Sequence, residues 1–360
     1  MEITTRNTNT LMHSVYQIFR QQMATTPPTE SRNGPVYRYP EPVSICLTHP
    51  DERVNFSAVR DANPFFHLME GLAMLAPHNS VAFLAYFAKA MLQYSDDGQT
   101  YNAFYGTRAR RWTHTPKQLI DQLSIVIRTL RDNPDTRQAV VQLWDPIDLV
   151  FNSKDKACNL ALLFDISREG LVNMTSFNRS NDAVLGGVSG ANIVHLSMFQ
   201  EYVACALGRP VGVWWHISNN LHVYAEQPQW KRLCEPANVT DIVDPYTNHD
   251  HMELLPLFDE ASGHSRNKFD EELSRFLNHA TAVIVGGFAN DLLLRTNYAD
   301  GYISAVAVPM FNVWQRYKAK DNLGALMLTE EIVAPDWKLA CRLWLDRRIN
   351  SHTKPIHNHE

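Results

Sequence analysis

The apolar and polar positions along this chain change their period more than once, and each change marks a different kind of element. Residues 11–23 carry apolar side chains at helical spacing. The TTPPTESRNGP stretch that follows is a Pro, Ser, Gly and Asn loop holding one arginine, Arg32. From Asn63 to Gln93, Ala, Leu, Met and Phe dominate around Glu70, and the pattern predicts two packed helices broken at APHNS. Residues 115–131, TPKQLIDQLSIVIRTLR, set Leu119, Ile120, Leu123, Ile127 and Leu130 on one face behind a Thr-Pro start, which predicts an amphipathic helix. The period then shortens. RQAVVQLWD, CNLALLFDIS, GLVNMTSFNRS and VGVWWHISNNLHVY are short, rich in β-branched and aromatic residues, and separated by Asp, Gly, Asn or Ser, so they predict a sheet. A helix over 192–207 lies between the last two. Beyond residue 236, EELSRFLNHA and PDWKLACRLWLDRR read as helices, NVTDIVDPYTNHDHME as loop and SHTKPIHNHE as a disordered tail.

No segment of 20 to 50 residues repeats along the 360-residue chain, which sets solenoids and propellers aside. Composition narrows the class further. With 33 basic against 38 acidic residues the net charge is -5, so no global positive field exists to hold duplex nucleic acid, and direct nucleic-acid binding is not expected. A small anionic ligand held locally is compatible with that balance. Five cysteines without a CxxC spacing argue against a disulfide framework and a cysteine-rich zinc site, and for a reducing compartment. The N-terminus lacks the basic and apolar regions of a secretory signal, and no run of 18 apolar residues occurs, so a soluble cytoplasmic protein without a membrane partner is expected.

The chemistry-bearing positions cluster in the predicted sheet. Cys158 follows the polar NSKDKA and opens an apolar strand. A lone cysteine is usually a small buried hydrophobe, but twenty residues on come Asn178, Arg179, Ser180, Asn181 and Asp182, at the other end of a hairpin. Arg137 and Arg32 add two guanidiniums, and together these groups suit a dianionic phosphate. The run Gly186 to Gly190 lacks the GK[ST] of a phosphate loop and reads instead as close backbone approach before the helix. His249, Asp250 and His251, with the tail histidines, lack a matching third ligand type, so no metal is expected.

Taken in order, SRNG at Arg32, HLMEGLAML at Glu70, FYGTRARRW from Tyr105, NPDTRQAVVQLWD at Arg137, DKACN at Cys158, NRSNDAVLGGVSGANIVH from Arg179 to Asn192, and NNLHVY at His222 and Tyr224 form a set that resembles the thymidylate synthase superfamily, including its phage and bacterial pyrimidine-nucleotide hydroxymethylases. The resemblance implies an α+β, thymidylate synthase-like three-layer fold with a large mixed β-sheet and surrounding helices. It places the catalytic domain over 1–235 and leaves 236–360 as a helical C-terminal extension packed on the same domain. It also implies a homodimer with shared active sites, a pyrimidine nucleoside monophosphate as substrate and 5,10-methylenetetrahydrofolate as co-substrate. Cys158 takes the role of the thiolate that adds to C6 of the base. Glu70 becomes the proton-handling carboxylate and Tyr105 the group beside the C5 proton. Arg32, Arg179 and Ser180 hold the 5′-phosphate with Arg137 of the neighbouring subunit, His222 and Tyr224 the sugar hydroxyl, Asp182 the pterin, and Asn192 the base.

Several positions depart from the family pattern. Ala157 and Asn159 flank Cys158 where synthases have proline and histidine, Gln138 replaces a second arginine, two residues are inserted before Asn192, Ala73 stands where synthases carry a tryptophan lining the folate pocket, and the family's closing C-terminus has no counterpart. A site missing a wall and a lid invites water onto an exocyclic methylene intermediate, and water addition yields a 5-hydroxymethyl nucleotide with Glu70 as the base. Hydroxymethylation is therefore the expected activity, with thymidylate synthase as the alternative and an idle nucleotide-binding relative as the remote one. Asn192 taken alone favours uracil, since an amide donates and accepts, but dUMP, dCMP and CMP stay open.

Overall fold

The computed structural model describes residues 1–115, 118–235, 244–248, 252–287, 292–293, 295–299 and 301–352. Its framework is a six-stranded mixed sheet of β1 (Glu2–Thr5), β3 (Val43–Leu47), β6 (Val140–Gln142), β7 (Asn159–Ile166), β8 (Val172–Asn178) and β10 (Val211–Ser218), in the order β1-β3-β10-β8-β7-β6. A second sheet joins β2 (Val36–Arg38), β11 (Leu221–Tyr224) and β9 (Asn181–Asp182), and β4 (Trp112–Thr115) pairs β5 (Gln118–Ile120) in a small hairpin. The helices are α1 (Thr8–Met23), α2 (Pro64–Leu75), α3 (Val81–Phe87), α4 (Tyr105–Arg110), α5 (Gln122–Asp132), α6 (Ile147–Val150), α7 (Ala191–Leu207) and α8 (Pro228–Cys234). After residue 236 come α9 (Pro245–Asn248), α10 (Arg266–Val285), α11 (Val308–Lys318), α12 (Asn322–Leu328) and α13 (Pro335–His352).

The predicted strands and the 192–207 helix form where the pattern placed them. The helix expected over 115–131 forms only from Gln122 onward. Asp121 caps α5 by accepting from the Ser124 amide at 3.0 Å, so the helix starts after it, while residues 118–120 pair with β4 and leave Leu119 exposed. A capping carboxylate and a local hairpin outcompete the apolar periodicity of the preceding turn.

Nearly every residue of α7 is buried, because the helix is sandwiched between α2 and the sheet. Gln200 on α7 spends its amide on the carbonyls of Val172, Gly212 and Val213, at a break in the β10–β8 register. The turn before α7 is tight enough that a Cβ on Gly190 would lie 1.9 Å from the Leu185 carbonyl oxygen, which accounts for the glycine-rich run. The C-terminal helices share the same apolar core: the Phe65 ring of α2 meets Trp314 of α11 at 5.3 Å and Trp344 of α13 at 5.6 Å. Arg347 and Arg348 of α13 both bond Asp61, just ahead of α2.

One buried ion pair holds the start of the site. Arg108 on α4 grips both Asp148 oxygens at 2.6 Å and also donates to the Leu143 carbonyl. Asp148 has no solvent exposure; burial pushes its carboxyl up, but the Arg108 contacts win and hold it below the usual carboxylate range. Asp148→Asn leaves the buried Arg108 without a counter-charge, and unfolding in urea should show a loss of about 3–5 kcal/mol. The wild-type contribution is present above the unfolded carboxyl pKa, roughly 3.9, and is lost as pH falls through the depressed folded value.

Candidate active site

Cys158 is the last residue before β7, and the β7–β8 register is irregular between Asn159 and Ala161 directly beside it. Across the ladder Asn159 faces Asn178, and the Arg179 amide donates to the Cys158 carbonyl at 2.9 Å. Strand pairing thus sets Arg179 beside the cysteine. The guanidinium is itself anchored, its Nε donating to the Ala157 carbonyl at 2.7 Å and its Nη2 to the Lys156 carbonyl at 3.3 Å, with Trp144 under its face at 5.5 Å. Burial pushes the Cys158 thiol up; Arg179 and Arg32 pull it back, while Asp155 and Asp182 oppose them, and the net direction is upward. The arginines moderate the thiol without reversing the effect of burial.

Tyr105 opens α4 and points its hydroxyl at the backbone of Cys158, accepting from the Cys158 amide at 3.0 Å and the Asn159 amide at 3.2 Å. Burial raises this phenol, so it stays neutral and keeps its proton to donate. Its ring lies 5.6 Å from His195 of α7, and the His195 Nδ1 is 3.1 Å from Glu70 Oε2 of α2. A continuous chain therefore runs from Glu70 through His195 and Tyr105 to Cys158. His195 escaped the sequence reading, although its position three residues after Asn192 puts both on one face of α7. Tyr94 is a second addition: partial burial raises its phenol, and the charges of Tyr224, Asp182 and Cys158 raise it further, so this exposed residue feels the same group of side chains.

The remaining candidates sit on the second sheet. Parallel pairing sets His222 of β11 opposite Asp182 of β9, and the His222 and Tyr224 rings meet edge to face at 5.2 Å. Burial lowers the His222 imidazole against the pull of Asp182. Asp182 Oδ1 caps the Val184 amide at 2.8 Å, and Oδ2 has only a long contact of 3.3 Å with Gln227. Ser180 is half-buried, its amide donating to Asn178 Oδ1 at 2.9 Å. Arg32 is exposed in the Ser31–Gly34 turn, next to Asn33, which donates to the Tyr224 hydroxyl at 3.4 Å. Asn192 is half-buried in the first turn of α7, close to the Asp182–Gly186 turn. Beneath this wall a buried network of Trp214, Ser176, His216 and Asn181 fixes the turn: Asn181 Nδ2 lies 2.7 Å from His216 Nε2, and burial pushes the His216 imidazole down to about 4, keeping it neutral.

Arg137 is not brought into this cluster. It is exposed, three residues ahead of β6, and the register of β6 with β7 sets Val140 opposite Leu163. Continued outward, that antiparallel register puts Arg137 level with Ile166, eight residues along β7 from Cys158, or roughly 26 Å at strand rise. Within one chain this arginine is at the wrong end of the strand.

One expectation about an open site needs correction. Ala73 has no solvent exposure and is enclosed in the packing of α2, so its small side chain opens no path for water. The extension also covers α2 directly, through α13. Among the described residues no three His, Cys, Asp or Glu side chains converge on a metal position, and His249–His251, His357 and His359 lie outside the described residues. No helix among the described residues is long and apolar enough to cross a membrane.

The sequence profile of the thymidylate synthase family matches residues 71–255. A deoxyuridylate hydroxymethyltransferase of Pseudomonas phage M6 is 37% identical over 357 residues, covering 96% of this chain and 94% of that protein. The chain belongs to the thymidylate synthase family. A second relative, the deoxyuridylate hydroxymethyltransferase of Bacillus phage SP01, is 40% identical over 192 residues, 51% of this chain and 50% of its own length. Membership makes the protein a one-carbon transferase of the thymidylate synthase family, and the α+β architecture with its large mixed sheet agrees with the fold that the motifs implied.

Proposed function

We propose that this enzyme hydroxymethylates C5 of dUMP with 5,10-methylenetetrahydrofolate as the one-carbon donor, from two active sites shared across a homodimer. The observation that carries the reading is the continuous Glu70–His195–Tyr105–Cys158 arrangement, in a chain matched almost end to end by a deoxyuridylate hydroxymethyltransferase. Cys158 adds to C6 of the base, and Tyr105, neutral and fixed at the nucleophile's own amide, stands where the C5 proton departs. Arg179 and Ser180, side by side between β8 and β9, receive the 5′-phosphate with Arg32 from the early turn. His222 and Tyr224 receive the sugar hydroxyl and Asn192 the base, and Glu70 is the carboxylate that holds the His195 ring.

Uracil is favoured over cytosine by one amide as well as by the relatives' names. Asn159, next to Cys158, accepts from Asn178 Nδ2 at 2.7 Å and leaves its own Nδ2 buried without a partner, a donor for a pyrimidine carbonyl, which uracil offers at both C2 and C4 and cytosine only at C2. The folate fits the same wall: the Oδ2 of Asp182, engaged only at 3.3 Å, is open to the N–H donors of a pterin. When bound, that co-substrate supplies the one-carbon unit.

Dimerisation is supported by the sheet. Leu163, Phe177, Val213, Trp215 and Ile217 stay half-exposed on one face while the alternate residues are buried, and Arg137 is stranded at the far end of β7. Run in 18O-labelled water, the reaction should give 5-hydroxymethyl-dUMP carrying the label and tetrahydrofolate, with no rise in dihydrofolate absorbance. Unlabelled dTMP with stoichiometric dihydrofolate overturns the reading in favour of thymidylate synthase.

A further inference from the structure

We propose that His195 is the catalytic base that deprotonates the water captured by the exocyclic methylene carbon, with Glu70 as its positioning residue; this rests on the hydroxymethylase reading. Three observations converge on the ring. His195 is 1% exposed, in the middle of the interior helix α7. Its Nδ1 is occupied by Glu70 Oε2 at 3.1 Å, and its Nε2 is buried with no partner. Its face lies against Tyr105, whose hydroxyl touches the Cys158 amide.

A carboxylate at Nδ1 selects the tautomer that carries its proton there, which leaves the Nε2 lone pair as the ring's open acceptor. Buried acceptors are satisfied in folded proteins, so an orphan one ring away from the nucleophile calls for a substrate or water hydrogen. Glu70 cannot serve both groups with the same oxygen, and the imidazole extends its reach toward the Tyr105 side.

The step balances within these groups. After the folate nitrogen has left, the base carries an exocyclic C5 methylene and the Cys158 thioether at C6. Nε2 takes one water proton as the oxygen bonds to the methylene carbon, and the π pair moves into the C4–O4 enolate. Collapse of that enolate restores the C5–C6 double bond and expels the Cys158 thiolate, which regains its proton from the imidazolium. No oxidant or reductant is consumed, in keeping with a tetrahydrofolate product.

The charged and titratable groups that face the ring are Glu70 and His67 from α2 and Tyr105 from α4, with Arg60 acting on His67. Burial first, then Arg60 and His195, lower His67 to about 3, so it stays neutral and does not compete. That leaves the open Nε2 of His195 as the basic nitrogen beside Tyr105.

The test separates those two steps in His195→Gln, whose amide still donates to Glu70 but has no basic nitrogen. With [5-3H]dUMP and 5,10-methylenetetrahydrofolate, tritium release should stay within threefold of wild type. Formation of 5-hydroxymethyl-dUMP should fall about 100-fold, as expected for loss of a general base, and 2-mercaptoethanol should trap the stalled methylene as a thioether. If the variant does not fold, His195→Asn serves, its amide nitrogen standing nearer the Nδ1 position: product per tritium released should fall in the same way. Parallel loss of both signals, or retention of both, overturns the role of His195 while leaving the hydroxymethylase reading in place. A methylated, unlabelled wild-type product overturns the reading itself.

Discussion

Cys158→Ala should abolish dUMP turnover, by on the order of 10⁴-fold or more, while dUMP binding measured by calorimetry changes little. The asymmetry follows from where the binding energy resides. The groups assigned to the phosphate and sugar, Arg179, Ser180, His222 and Tyr224, are held by strand pairing and by backbone contacts to the Ala157 and Lys156 carbonyls, none of which involves the sulfur. Removing the sulfur deletes the covalent step and leaves the frame. The same arrangement predicts the pH dependence: burial lifts the thiol in the free enzyme, so kcat/KM should climb as pH rises from neutrality and the thiolate fraction grows. Cys46 and Cys341 are buried, while Cys158, Cys205 and Cys234 are partly accessible, so among the labels an alkylating agent leaves, the inactivating one should map to Cys158 and be the one that dUMP blocks. Turnover retained in a clean Cys158→Ala preparation, or inactivation mapped to another thiol, removes Cys158 from the role.

Mixing inactive Cys158→Ala chains with weakly binding Arg137→Ala chains should restore activity. In a heterodimer with shared sites, one site receives an intact Cys158 from one chain and an intact Arg137 from the other, and its counterpart receives neither. Random exchange makes half of the dimers heterodimers with one working site in two, so recovery should approach about a quarter of wild type. The geometric ground is the β6–β7 register, which places Arg137 roughly 26 Å along the strand from the Cys158 of its own chain. An arginine that bonds phosphate is worth about 1.5–3 kcal/mol, so Arg137→Ala alone should weaken dUMP binding by one to two decades, and the assay belongs at dUMP below its KM. Demonstrated subunit exchange without recovered activity rules out sharing.

Stability of the site frame is a separate matter from its chemistry. The Arg108–Asp148 pair lies at the far end of the helix that begins with Tyr105, and the Gln200 amide ties α7 to the irregular end of β10. Both devices satisfy buried polar groups that the register breaks and short helices leave exposed to an apolar interior. Their loss would displace Tyr105 and His195 before it changed any group assigned to the substrate.

The sequence by itself determined the kind of residues at the site and most of the elements that carry them. Period-2 stretches became β7, β8, β10 and β11, the 192–207 segment became α7, and the ordered motifs singled out Cys158, Glu70, Tyr105 and Arg179 as candidates, because each depends on local pattern or on fixed short spacing. Residues 118–120 failed that logic: their apolar spacing continues a helix, yet the Asp121 cap and the hairpin with β4 decided otherwise. Tertiary structure alone decided three things. It joined Glu70 to His195 across 125 positions of chain, a contact between two helices that no period encodes. It enclosed Ala73, so a missing aromatic side chain did not become an opening. And it set Arg137 at the opposite end of a strand from Cys158, because antiparallel register, rather than sequence distance, determines which end of a sheet a residue occupies.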